Sequence, residues 1–281
     1  MRFLLILVLT LCSVPGFAVE LRGSLVQGGM VLGKASPGST VLLNDVAVAV
    51  AEDGVFVLGF GRDAEPQATL TVRDPQGRQQ QQQLTIKARE YNIQRVEGID
   101  KKIMSPSEES LKRIGEEGAL VRQARAGLLK RMDFAGKFYW PLQGPITGVY
   151  GSQRVYNGVP KRPHYGVDVA AAVGTPVTTP APGIVTLAHP DMFYSGGTVI
   201  IDHGYGISST LMHLSKVLVD VGQEVTPGDI VAEVGAGGRA TGPHLDWRMN
   251  WFKVRIDPQL LVQPMQLGSP DASQLNTIEG E

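Results

Sequence analysis

The chain has one cysteine, Cys12, among 281 residues. Neither a disulfide framework nor a thiol nucleophile can be built once the segment around it is removed. Acidic and basic residues nearly cancel, leaving a formal charge of -1. Bulk charge therefore gives no nucleic-acid footprint. The apolar run from Phe3 to Leu11 is well short of the ~20 residues that span a bilayer. What is present is an ordinary globular balance, 43% hydrophobic against 19% charged residues, enough for true cores. The length suggests about two domains. The 34 glycines and 18 prolines favour turns and short strands over long helices.

The first stretch reads as a signal peptide. Arg2 supplies the positive start, the short apolar core follows, and Gly16 and Ala18 are the small residues a signal peptidase needs. Cleavage after Ala18 is expected, with a periplasmic or secreted product and no membrane span in the mature form. A lipid anchor on Cys12 is not expected, because Leu11 precedes it.

Five segments follow from the pattern: residues 1–18 as signal, 19–92 as a small β-sandwich of immunoglobulin-like type, 93–137 as a helical connector, 138–265 as a second, all-β domain, and 266–281 as a mobile polar tail. In 19–92, alternating valines at 46, 48 and 50 and the run from Val55 to Phe60 are separated by turn residues Asp53-Gly54 and Asp74-Pro75-Gln76-Gly77. The glutamines 79–83 read as a solvated strand. The connector helix is expected to begin at Ser105, with Pro106 in the first turn and Glu108 completing a capping box. Leu111, Ile114, Val121, Leu128 and Met132 form its stripe through to about Asp133, and its charges, Arg125 among them, form a wet face. In the second domain, Gly174 to Val185 and Val221 to Val231 echo each other. Two such β-units would pack as a barrel or sandwich, and chance likeness between turn segments is the competing explanation.

The chemistry lies in three short stretches: His164-Tyr-Gly-Val-Asp168, Met212-His213-Leu-Ser, and Gly-Pro-His244-Leu-Asp246-Trp247. Histidine and carboxylate are the ligands zinc accepts where no thiolate is available, and a catalytic site keeps a fourth position open. On a strand, His244 and Asp246 share a face. An extended segment would also set His164 and Asp168 on one side. Each histidine alone is more often a hydrogen-bonded core residue than a ligand. His203 and His189 are read that way, with Asp202 fixing the His203 tautomer. Trp247, Trp251 and Tyr194 are candidates for a groove floor or for core, and Arg154 and Asn157 for lining the site.

Taken together and in this order, with the GTPV…PGIV segment between the first two, these stretches resemble the M23 (lysostaphin-like) peptidase domain over about Trp140 to Leu261. The resemblance implies an exported zinc endopeptidase that cuts the stem peptides of peptidoglycan. It implies His164 and Asp168 as zinc ligands, and His213 and His244 as catalytic histidines. The family's third ligand is the second histidine of H-x-H, and here that position is Asp246. A carboxylate there suits zinc less strongly and cancels more of its field. The competing expectation is a metal-free relative that binds the cell wall or activates another hydrolase.

Overall fold

A computed structural model describes residues 19–97 and 107–265. The expected signal peptide, the expected helix start at Ser105-Pro106, and the polar tail lie outside the described residues. The protein is mainly β. Its first part holds β1 (Glu20–Gly23), β2 (Met30–Lys34), β3 (Thr40–Leu43), β4 (Val46–Val48), β5 (Val55–Gly59), β6 (Gln67–Arg73) and β7 (Gln79–Thr85). They form two sheets, β1-β2-β5 and β4-β3-β6-β7. Val31, Phe56 and Leu58 of the first sheet share one core with Val41, Leu70, Val72 and Leu84 of the second. Alternation explains this, since every second side chain of a strand faces the same side. The glutamines of β7 are largely exposed, as a solvated edge strand requires.

The connector differs from its sequence pattern. Residues 93–96 form a strand, β8 (Ile93–Val96), which pairs in parallel with β10 (Gln153–Tyr156). The helix α1 (Glu108–Ala124) is capped by Ser107, whose hydroxyl accepts the Ser110 N–H. It ends about nine residues before Asp133. Gly127 follows the last turn, and glycine inside a helix costs about 1 kcal/mol relative to alanine. Leu111, Leu128 and Met132 of the expected stripe are exposed. Val121 of the stripe does pack, together with Ala124, against Leu187, Met192 and Ile200.

The remaining strands are β9 (Ile146–Gly148), β11 (Val159–Pro160), β12 (Val167–Ala170), β13 (Pro176–Thr178), β14 (Gly183–Met192) and β15 (Gly196–Gly204). After them come β16 (Ile207–Val217), β17 (Glu224–Val225), β18 (Ile230–Val234), β19 (His244–Trp251) and β20 (Val254–Ile256). Apart from β11, which joins β10 and β8, they make one open, branched sheet of ten strands along β17-β14-β15-β16-β19-β12-β9. The two echoing segments supply β13 and β14, and β17 and β18. They meet through β13–β18 and β14–β17 pairings.

Alternation sorts the two faces of this sheet. Val167, Val169, Val199, Ile201, Leu211, Leu245, Trp247 and Met249 face a closed apolar core. Residues between them on the central strands, including Asp168, Thr210, Asp246, Arg248 and Asn250, face the other way. Trp247 is therefore core, stacked edge-on against Trp140 with ring centroids 5.8 Å apart. Trp251 packs against both cores.

Candidate metal centre

The site starts from a strand register. β12 and β19 are antiparallel, and Asp168 stands directly opposite Asp246, with Ala170 opposite His244. Side chains of such a pair lie on one face about 4.5–5.5 Å apart at Cβ, and like charges there repel. The register thus concentrates two carboxylates where a cation is needed. Asp246 is almost fully buried.

His164 does not arrive by strand alternation. It precedes β12 in a loop tied to the neighbouring turn, where its N–H donates to Ser152 O and its carbonyl accepts from Gly151 N, both at 2.8 Å. Its Nε2 then lies 3.2 Å from Asp168 Oδ1. Both atoms are buried, and neither has a hydrogen-bond partner. Close approach without hydrogen-bond geometry is what two donors aimed at a common third point show. Ligand atoms of His164, Asp168 and Asp246 all lie within 4.8 Å of one another. Two glycines make room for them. A Cβ on Gly166 would come 2.5 Å from Asp246 Oδ1, and one on Gly148 would overlap the Asp168 carboxylate.

His213 reaches the cluster through a break in the ladder. Met212 is paired with Asp246, so strict alternation would turn His213 to the opposite face. The register with β15 gains one residue between Leu211 and Leu214, and His213 has φ +63°. Such a bulge re-aims a side chain. The His213 ring ends 4.7 Å, centroid to centroid, from that of His244. Its Nδ1–H donates to Gly237 O at 2.9 Å, and His244 Nδ1–H donates to Gly242 O at 2.8 Å. A carbonyl only accepts, so each ring keeps its Nε2 free of that proton. His244 Nε2 lies 3.8 Å from Asp168 Oδ1. Burial pushes the His213 imidazole below its usual value.

Asp246 has a partner that the sequence motifs did not include. Arg248, two residues on and so on the same face, donates Nε to Oδ1 at 3.0 Å and Nη2 to Oδ2 at 2.6 Å. Burial opposes the charge of Asp246, but the Arg248 guanidinium outweighs it and holds the carboxyl below its usual range. Each carboxylate oxygen offers about two acceptor positions, so this pairing leaves Oδ1 a free one. The alternating pattern Asp-x-Arg is the signal that marks Arg248.

Other candidates fall elsewhere. His203 is fully buried, donates Nδ1–H to Pro182 O at 2.6 Å and accepts from Ser209 Oγ at 2.7 Å through Nε2. Burial brings it down to about 4. Those two groups fix its tautomer, not Asp202, which accepts from Gly204 N. His189 accepts from Asp191 N on β14. Arg154 is exposed on β10, with Nη1 3.4 Å from the Tyr156 hydroxyl. Asn157 forms the left-handed turn between β10 and β11. Tyr194 is partly exposed beneath the Arg239 guanidinium, 4.3 Å from its ring.

Residues 162–258 match peptidase family M23. The chain is 43% identical over 89 residues to peptidoglycan DD-endopeptidase ShyA of Vibrio cholerae, covering 31% of this chain and 20% of that protein. It is 37% identical over 109 residues to DD-carboxypeptidase/endopeptidase Mpg of Neisseria meningitidis, covering 39% and 24%. The chain thus spans about a fifth to a quarter of the length of these curated relatives. The crystal structure of a protein from Pseudomonas aeruginosa described as a peptidase M23 is similar over 84% of this chain and 94% of that one, at 30% identity and a TM-score of 0.64. A likeness that runs through nearly all of that structure, with the matched segment enclosing every residue of the cluster, places this chain in peptidase family M23.

Proposed function

We propose that the protein is an exported metallo-endopeptidase that hydrolyses peptide cross-links of bacterial peptidoglycan, with one zinc ion held by His164, Asp168 and Asp246. The observation that carries this reading is the pair of buried, hydrogen-bond-free atoms His164 Nε2 and Asp168 Oδ1 beside a second carboxylate. Buried polar groups are almost always partnered, and a cation bound between them would satisfy both. The donor set fits a divalent metal: three protein ligands, nitrogen and oxygen, leave a fourth position for water. The name of ShyA, a peptidoglycan DD-endopeptidase, supports the substrate class, and that of Mpg, a DD-carboxypeptidase/endopeptidase, supports the reaction. Among the described residues no helix is long and apolar enough to cross a membrane.

When bound, the zinc supplies a Lewis acid for the scissile carbonyl and acidifies a water. The chain's own residues do the rest. His213 and His244, each anchored through Nδ1, offer Nε2 as a proton acceptor, and as an oxyanion donor once it has taken up a proton. His213 is neutral at pH 7, because burial lowers its affinity for a proton. Arg248 orients Asp246 and offsets one negative charge. The ligand set of one histidine and two carboxylates carries -2, and Arg248 returns the sum to the -1 of the family's two histidines and one aspartate.

The same ion pair supports a second reading. Arg248 already supplies a cation to Asp246, so a metal-free module that binds peptidoglycan, or activates another hydrolase, is electrostatically self-consistent. Zinc analysis of the dialysed protein separates the two readings. Digestion of purified sacculi, with released fragments identified by mass, then tests the enzyme. Stoichiometric metal and cleaved cross-links are expected, and a metal-free, inert protein would leave only the binding module.

A further inference from the structure

The polar face of the sheet continues beyond the metal cluster. Along β19, Asp246, Arg248 and Asn250 point the same way, at intervals of roughly 7 Å. Thr210 stands opposite Arg248, Ser208 opposite Asn250, and Arg255 opposite Asn250 on the other side. Helix α1 lies against this face. Val121 and Ala124 pack on Ile200, Leu187 and Met192, and Glu117 accepts the Phe193 N–H at 2.8 Å. This anchoring brings Arg125, the residue that ends the helix, onto the sheet. Its Nη2 donates to Thr210 Oγ1 at 2.6 Å.

The result is an excess of cations. Arg125, Arg162, Arg248 and Arg255 interact electrostatically with one another. Of these four arginines, only Arg248 has an ion-pair partner among the described residues, Asp246. Arg255 Nη1 donates to Asn250 Oδ1 at 2.9 Å, a neutral acceptor. Arg125 Nε and Ser208 Oγ are buried without any hydrogen-bond partner. Burial first, and then repulsion from the other arginines, pushes Arg125 down to about 9 and Arg255 down to about 10. Both remain charged at neutral pH. Arg125 and Arg255 are half-buried, and cations drawn out of water are ordinarily paired, because desolvating an unpaired charge is costly. Donors without acceptors, gathered at one place on the face that carries the metal cluster, describe half of a binding site.

We infer that this arginine cluster is an anion site, and that it takes a carboxylate of the peptide substrate lying along β19, with Arg125 and Arg255 as its principal donors. Guanidinium groups match a carboxylate in two-pronged geometry. An extended peptide rises roughly 3.3 Å per residue, so the carboxylate would sit about two to four residues from the bond at the metal. The connector thereby contributes a binding residue, Arg125, to a site otherwise built on the sheet. The identity of the anion's carrier rests on the peptidase reading; the anion site itself does not.

The test uses the full chain, stripped of metal so that nothing is hydrolysed. Its melting temperature is followed in sodium acetate and in sodium chloride at equal ionic strength. Calorimetry then compares one short peptide bearing a free C-terminal carboxylate with the same peptide amidated. Acetate should raise the melting temperature above the chloride value. The free acid should bind at least about tenfold more tightly than the amide, as a charge-assisted hydrogen bond implies. Arg125→Gln and Arg255→Gln should each remove most of that preference. Arg125→Gln should also melt no lower than the parent without acetate, since it relieves repulsion. Equal melting in both salts, or a preference untouched by both substitutions, would overturn the anion site. An acetate effect without peptide binding would overturn the peptide as carrier. Cleavage by the zinc-loaded protein with no preference for the acid would overturn the peptide carboxylate as the occupant while leaving the peptidase reading intact.

Discussion

Arg248 grips Asp246 through both carboxylate oxygens, at 2.6 Å to Oδ2 and 3.0 Å to Oδ1, with Asp168 directly across the strand pair from Asp246. Arg248 therefore acts as a built-in counter-ion for a site that gathers two carboxylates. Removing one partner of a buried ion pair typically costs about 3–5 kcal/mol. The Arg248 side chain retains some exposure, so Arg248→Gln should cost the metal-free protein about 3 kcal/mol, at the low end of that range. Zinc should recover part of the loss, because the ion then neutralises Asp246. Urea melts with and without zinc check this, and an unchanged metal-free stability would contradict it.

If the proposed ligand set is right, Asp246→Ala leaves only His164 and Asp168 for the metal, and two ligands do not hold zinc as three do. Dialysed protein should lose its zinc and all turnover. Asp246→Asn should behave nearly as badly. Asp246→His restores the family's ligands and should bind zinc at least as tightly as the parent, since imidazole suits zinc. Full zinc occupancy in the alanine variant, measured by elemental analysis, would refute Asp246 as a ligand.

His213→Ala should keep zinc and lose turnover by about 10²–10⁴-fold, the usual contribution of a general acid–base group. Metal analysis beside a peptide-cleavage assay separates this from ligand loss. If zinc disappears together with activity, His213 is a ligand.

Gly148→Ala tests the packing around the ligands. Its methyl group would overlap the Asp168 carboxylate, and the edge strand β9 or the carboxylate must move. Displacing Asp168 should weaken zinc binding by more than about tenfold, on the scale seen when groups that orient a ligand are lost. Competition with a chelator gives the affinity. An unchanged value would mean that β9 yields and the site does not.

His203 gives the fold a pH dependence away from the site. Its folded value is about 4, against 6.5 for the free side chain. The folded state therefore binds fewer protons than the unfolded chain between these values, and stability falls as pH drops from 6.5 towards 4. At about 1.4 kcal/mol per unit the loss approaches about 3 kcal/mol. Replacement of His203 by Gln should flatten this part of the profile. Denaturant midpoints across pH 4–7 for both proteins measure the difference, and parallel profiles would exclude His203 as the cause.

The sequence by itself determined the strand-rich character, because alternation and turn residues are local. It also marked His164, Asp168, His213, His244 and Asp246, because short motifs keep their order in the chain. It read His203 as a structural residue because a lone histidine without a motif partner is more often hydrogen-bonded core than ligand. Tertiary structure decided the rest. The pairing of Asp168 with Asp246 depends on strands joined by some 75 residues of intervening chain. His213 points to the cluster only through a bulge that strict alternation would deny. His164 is placed by backbone bonds to a turn that its spacing from Asp168 does not reveal. The connector's Arg125, read as wet surface from its helical pattern, is half-buried with its Nε out of water, because α1 stops at Ala124 and docks on the sheet. A residue's charge is local information. The partner it faces, and whether water reaches it, are properties of the folded chain, and they set Arg248 against Asp246 and Arg125 against Thr210.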